Sequence, residues 1–310
     1  MRIGIIDFGT NTLRLDIFET EDNGYHCVFD YAIFSKIVEN TVENSLSQDG
    51  IEHVIQSIEE HQAICRHYRC ERVECFSTAS LRYIDNAANV LEQVEFRTGI
   101  RIRCISGDEE AHYDFLALRS VCDEKSGVGC DLGGGSIQVF TFDENGPTKS
   151  ASFPLGSSRV AKEFSSGDIP TAEEIAAIEE KVGRSLSEAG FASGQKRLLA
   201  MGGTAKTAAK LRQKTLQKSG AFLSAELSAM LSVLSAEPEE TLELLADVEP
   251  KRSRTLVPGM AVLSGVMKFF GCEEMEVHGV GVREGFLESL LNGGEPATPD
   301  ILQVILGSLS

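Results

Sequence analysis

Apolar residues alternate or run on over 2–8, 12–19 and 25–34, with Asp7-Phe8-Gly9 and Glu21-Asp22-Asn23-Gly24 between them, which predicts three strands in succession. At Asp49 the period changes, and Ile51, Val54, Ile55 and Ile58 recur at helical spacing. A strand over 72–77, a helix over 81–96 stopped by Gly99, a strand over 100–105 and a helix over 107–121 follow. The pattern then restarts. Strands are expected over 127–132, 136–142 and around 149–153, the last entered through the turn Asp143-Glu144-Asn145-Gly146. Helices, a strand over 197–201, more helices from Thr204, a strand over 274–280 and closing helices over 283–291 and 299–309 complete the chain.

Each half thus opens as strand, Asp-x-Gly turn, strand, turn, strand, and the chain reads as an α/β protein with a weak internal repeat. The polar run Asp123-Glu124-Lys125-Ser126-Gly127 marks the expected boundary between two domains. A chain of 310 residues suits two cores better than one. No stretch approaches the ~18 consecutive apolar residues of a membrane span. The start Met1-Arg2-Ile3-Gly4-Ile5-Ile6-Asp7 is no signal peptide, so the expected location is the cytoplasm. Eight cysteines without a C-x-x-C pair read as buried reduced thiols. The net charge of −18 argues against nucleic-acid binding. Within that acidic chain, residues 194–219 contain no Asp or Glu, and Lys206, Lys210, Lys214 and Lys218 are spaced by four. On a helix they form one cationic stripe, which is either a solvated face or a track for a polyanion.

The two Asp-x-Gly turns carry the candidate chemistry. They read Asp7-Phe8-Gly9-Thr10-Asn11-Thr12 and Asp131-Leu132-Gly133-Gly134-Gly135-Ser136. Glycine lets backbone approach a ligand, and successive amides in such turns form concave anion sites. Thr10, Asn11, Thr12 and Ser136 add side-chain donors, while Asp7 and Asp131 are suited to Mg²⁺, which takes oxygen ligands. A third glycine turn, Gly202-Gly203-Thr204, follows a strand and opens a helix, where N-terminal amides meet anions.

These blocks, together with Thr78-Ala79-Ser80-Leu81-Arg82, Asn86, Ser106-Gly107-Asp108-Glu109-Glu110-Ala111 and Gly281-Val282-Arg283-Glu284-Gly285-Phe286-Leu287, resemble the exopolyphosphatase/guanosine pentaphosphate phosphohydrolase (Ppx/GppA) family in order and over nearly the whole chain. The Asp7 and Asp131 blocks are shared with sugar kinases and actin, whereas the Ala-x-Leu-Arg and Ser-Gly-x-Glu-Glu-Ala blocks are what point to this family. The resemblance implies a two-domain actin-like ATPase (ribonuclease H-like) fold, with mixed five-stranded sheets flanked by helices and the active site in the cleft between lobes. Domain I would be 1–122 plus a C-terminal helix at 297–310, and domain II 123–296. The implied activity is Mg²⁺-dependent release of terminal phosphate from inorganic polyphosphate or a guanosine alarmone, by a protein that is often a homodimer. Glu110 would activate water and Arg82 would neutralise charge on the phosphate chain. The amides and side chains of Gly9, Thr10, Asn11, Thr12, Gly133, Gly134, Gly135 and Ser136 would cradle it. Lys206, Lys210 and Lys214 would follow the rest of a long substrate. The metal set would be Asp7 and Asp131 with Gln138.

Three positions depart from the family pattern. Gln138 stands where a Glu is usual, His112 where an Arg is usual, and 35–40 lacks the Arg-Leu-Gly pattern. Gln138 keeps an oxygen donor without the charge, which leaves open a weakly catalytic member that binds polyphosphate or an alarmone as a sensor. An ATP-dependent kinase of the same superfamily, with Gly202-Gly203-Thr204 as part of an adenosine site, is the other alternative.

Overall fold

The computed structural model describes residues 1–9, 12–21, 24–34, 37, 39–78, 81 and 84–293. Thr10, Asn11, Arg82 and the expected helix at 297–310 lie outside them. The chain divides into two compact units. The first holds Met1–Glu110 with the described residues from Ser289 on, and the second holds Ala111–Glu288.

The first unit is built on β1 (Arg2–Phe8), β2 (Thr12–Glu21) and β3 (Gly24–Phe34), an antiparallel meander. A small hairpin of β4 (Thr41–Val42) and β5 (Ser45–Leu46) comes next. It turns through Glu43 and Asn44, both at positive φ as a two-residue type I′ turn requires. Helix α1 (Gln48–His67) begins where the Ser47 hydroxyl accepts the Gly50 N–H at 3.2 Å. It buries Ile51, Val54, Ile55 and Ile58, the stripe that the spacing predicts. β6 (Arg72–Ser77) then pairs parallel to β1, α2 (Ala87–Thr98) crosses over, and β7 (Ile102–Cys104) pairs parallel to β6. The sheet order is β3-β2-β1-β6-β7. β1 is central and almost continuously buried, as a strand covered on both faces must be.

The second unit repeats this plan with β8 (Gly127–Leu132), β9 (Ile137–Asp143) and β10 (Gly146–Phe153) as the meander. Helices α4 (Ser157–Phe164) and α5 (Ala172–Glu188) lead to β11 (Arg197–Met201), parallel to β8. After α6 (Gly202–Leu216) and the short β12 (Phe222–Leu223) come α7 (Ser224–Ala236), α8 (Pro238–Val248) and a 3₁₀ turn at Pro250–Arg252. The unit closes with α9 (Leu256–Phe270) and β13 (Glu274–Val277). β13 enters between β11 and β12, giving the order β10-β9-β8-β11-β13-β12. Six strands stand here against the expected five, because two-residue β12 pairs antiparallel to β13. Helix α9 is apolar around nearly its whole circumference and packs against α4, α5, α6 and α7 as the centre of the larger core.

Helix α3 (Gly107–Arg119) carries the division between units after its first turn. From Ala111 on, its residues Ala111, Phe115 and Leu118 cluster with Phe140, Phe142, Leu199 and Met201 of the second sheet. The polar run at 123–127 lies past this point. Helix α10 (Val282–Leu291) packs Phe286 edge-on against Tyr113 of α3 at 5.3 Å between ring centres.

Candidate active site

The two Asp-x-Gly turns are built alike. In the first unit the Gly9 N–H donates to the Thr12 carbonyl at 3.0 Å, and in the second the Gly133 N–H donates to the Ser136 carbonyl at 3.0 Å. Each aspartate sits one residue before the strand end, with Asp7 beside Arg14 on β2 and Asp131 beside Gln138 on β9.

In the first unit, Ser77 on β6 is fully buried beside Phe8. The Ser106 hydroxyl accepts the Glu109 N–H at 3.1 Å, and the Glu109 carboxylate accepts the Ser106 N–H at 2.8 Å, a capping box at the start of α3. Glu109 also pairs with Arg103. Glu110, next in line, is the buried member of the acidic pair at 6% exposure. Of the two carboxylates, Glu109 is therefore occupied by structure. Asn86 has a structural task too. Its side chain donates to the Leu46 carbonyl at 2.8 Å and accepts the Leu46 N–H at 2.9 Å, pairing with β5 as another strand would.

The second unit holds its turn from behind. The Gly133 and Gly134 carbonyls accept the Ser157 and Ser158 N–H groups, each at 2.9 Å, at the start of α4. A Cβ on Gly156 would lie 2.4 Å from Gly134 backbone, so only glycine admits this approach. In a trans peptide the next N–H points opposite the carbonyl, which aims the Gly134 and Gly135 amides away from α4. Gln138 is 2% exposed and donates from Nε2 to the Ser136 hydroxyl at 3.0 Å and to the Ser152 hydroxyl at 3.1 Å. Its amide thus orients the serine of the turn.

The Asp131 carboxylate lies in a cradle made by glycines. A Cβ on Gly202, whose φ is +89°, would stand 2.3 Å from Oδ1, and one on Gly281 would stand 3.5 Å from Oδ2. On the neighbouring residue, a Cβ on Gly203 would meet Nη2 of Arg252 at 2.0 Å, and Arg252 also reaches the Thr204 hydroxyl at 3.5 Å. Three strand ends, those of β8, β11 and β13, thereby converge on one carboxylate. Among the described residues no group of three or more His, Cys, Asp and Glu side chains gathers to hold a metal.

Nearly every charge of the lysine stripe is met within its own unit. Lys206 donates to the Gly279 carbonyl at 3.1 Å and Lys210 to the Val248 carbonyl at 2.6 Å. Lys214 pairs with Asp247. Lys218, past the left-handed Gln217 that caps α6, leaves the helical stripe and pairs with Glu226. Lys206 and Lys218 nonetheless line a cavity of about 490 Å³ that also meets Arg212 and His278. His112 is exposed.

The match to known proteins is broad. A model of the Ppx/GppA phosphatase family covers residues 17–293. The chain belongs to the Ppx/GppA phosphatase family. It is 24% identical over 306 residues to Exopolyphosphatase 1 of Mycobacterium tuberculosis, covering 93% of this chain and 87% of that protein. The crystal structure of the Aquifex aeolicus Ppx/GppA family member superposes with a TM-score of 0.83 at 23% identity, covering 96% of this chain and 99% of that one. An exopolyphosphatase structure from Cytophaga hutchinsonii gives 0.79 at 18% identity, covering 94% and 98%. The fold of this family member is the two-domain actin-like ATPase fold. Among the described residues no helix is long and apolar enough to cross a membrane.

Sequence reasoning did not single out Arg103, Arg252 or Gly156. Arg103 is one of two arginines in a predicted strand, and no spacing rule ties it to Glu109. Arg252 comes from a 3₁₀ turn without a motif, and Gly156 shows its role only once α4 lies against the turn. Gly281 was visible as the opening of a motif, though its contact with Asp131 was not.

Proposed function

We propose that this chain is a Mg²⁺-dependent phosphoanhydride hydrolase that releases terminal orthophosphate from inorganic polyphosphate or guanosine pentaphosphate, acting in the cytoplasm as a homodimer. One observation carries the proposal: an Asp-Gly turn closed by the same bond occurs in both units, and in the second the carboxylate is cradled by glycine while the turn's amides are aimed outward. The name of the mycobacterial relative supports polyphosphate as the substrate.

In this mechanism Glu110 takes a proton from water as its oxygen attacks the terminal phosphorus, and the bridging P–O bond breaks toward the shortened chain. Glu110 is a buried carboxylate, a residue type that serves as a general base. Thr12 in one unit and Gly134, Gly135 and Ser136 in the other bind phosphate oxygens, with Thr10 and Asn11 completing the first turn, while Gly9 and Gly133, whose N–H groups close their turns, hold the shape instead of donating to phosphate as expected. Arg82 neutralises charge that builds on the transferred group. Mg²⁺, when bound, supplies charge neutralisation, and Asp7 and Asp131 are the hard oxygen donors it takes, with Oε1 of Gln138 as a neutral addition. Lys206, Lys210 and Lys214 attract the remainder of a long polyanion by exchanging their internal partners for phosphate. Chemistry of this kind is mostly positioning and electrostatics.

The test is phosphate release from polyphosphate with Mg²⁺, wild type against Glu110→Gln. A loss of at least ~100-fold is expected for removal of a general base; equal rates remove Glu110 from this role. A second reading, a binding protein for polyphosphate or an alarmone, is favoured by the commitment of Gln138 to Ser136 and Ser152. If wild type is inactive and Gln138→Glu gains turnover, the binding protein is the better description.

A further inference from the structure

Strand β7 is the edge of the first sheet, and its middle residue Arg103 stands in one row with Phe76 on β6 and Asp7 on β1. Residues paired across neighbouring strands project to the same face, so Arg103 leaves the sheet on the side of Asp7. Its side chain is 12% exposed and pairs with Glu109. The same Glu109 closes the capping box with Ser106, and the Glu110 N–H donates to the Ser106 carbonyl at 3.0 Å. The first turn of α3 is therefore tied to the sheet edge by an ion pair and locked on itself by three hydrogen bonds. Glu110 starts from the locked residue.

We propose that Arg103 and Glu109 form a clamp that positions the Glu110 carboxylate, so that the two adjacent acids divide the work into holding and chemistry. This rests on Glu110 being the general base. Arg103 and Glu109 are positioning residues. Glu109→Gln keeps an oxygen for the capping box but loses the charge that Arg103 needs, and Arg103→Met removes the charge from the other side. Each is expected to lower kcat about 10–100-fold, the scale of a ~1 Å misplacement, with KM unchanged. The double variant is no slower than the slower single variant, because both break one clamp. Arg103→Lys recovers part of kcat. Hydrogen exchange of the segment 105–111 accelerates in Arg103→Met while the global unfolding midpoint stays near wild type. A kcat within twofold of wild type, or a change carried by KM alone, overturns the clamp. If wild type releases no phosphate, the exchange measurement decides alone, and unchanged exchange refutes the clamp independently of the fate of the hydrolase assignment.

Discussion

His61 gives a sharp handle on the stability of the first unit. It is fully buried on α1, neither ring nitrogen makes a hydrogen bond, and the ring meets Tyr31 edge-on at 5.9 Å. Burial pushes its pKa down to about 4, only partly offset by the nearby Glu60 carboxylate. In the unfolded chain the imidazole titrates near its ordinary 6.5. The folded state thus binds fewer protons between those values, and stability present above pH 6.5 is lost as pH falls toward 4. The loss reaches about 2 kcal/mol by pH 5 and about 3 kcal/mol near pH 4. His278 shifts in the same direction by burial, so a slope is expected to remain when His61 is removed. The variant is His61→Leu, which deletes the titration and replaces a polar group that has no hydrogen-bond partner. At pH 8 it is expected to be as stable as wild type or more so, since that group costs desolvation without return. The assay is urea unfolding at half-unit steps from pH 8 to 4.5, with hydrogen exchange of α1 as the local probe. Parallel pH curves for wild type and His61→Leu refute the reasoning.

Gly202→Ala puts a methyl 2.3 Å from the Asp131 carboxylate and 2.6 Å from the Leu132 carbonyl, at a φ of +89°. A cost of roughly 1–3 kcal/mol from backbone strain alone is expected, together with loss of phosphate release, measured by urea unfolding and a phosphate assay. Glu226→Ala strands Arg212, whose side chain is 6% exposed and donates to Glu226 at 2.8 and 3.0 Å. Removing one partner of such a pair costs roughly 3–5 kcal/mol, read as a lower unfolding midpoint by calorimetry. An unchanged midpoint means that the Gly220 carbonyl and the Phe222 ring suffice for the guanidinium.

Much of this architecture was legible because its signals are local. Period-two strands and a glycine at each turn placed both meanders and both candidate phosphate turns. What was missed depends on partners distant in sequence. The helix expected over 81–96 is interrupted at 84–86 before it runs from Ala87, where Asn86 is bound to Leu46 and holds a turn. The β4–β5 hairpin turns on Glu43 at positive φ, and glutamate is no turn signal. The lysine spacing was legible, but its partners were not, since Asp247 and Glu226, which pair with Lys214 and Lys218, come from other helices. Within the acidic pair, it emerges only from the structure that Glu109 is the member paired with Arg103.

The placement of β13 between β11 and β12 bears on biosynthesis. As the chain leaves the ribosome, β12 has no neighbour to pair with until β13 appears, after α7, α8 and α9 have emerged. Until β13 arrives, the apolar surfaces of the helices made in that interval, α9 last among them, lack the finished sheet beneath them. Nascent chains stalled between Leu223 and Glu274 should therefore be the ones that chaperones hold longest, and release should follow once the inserted strand knits the edge together.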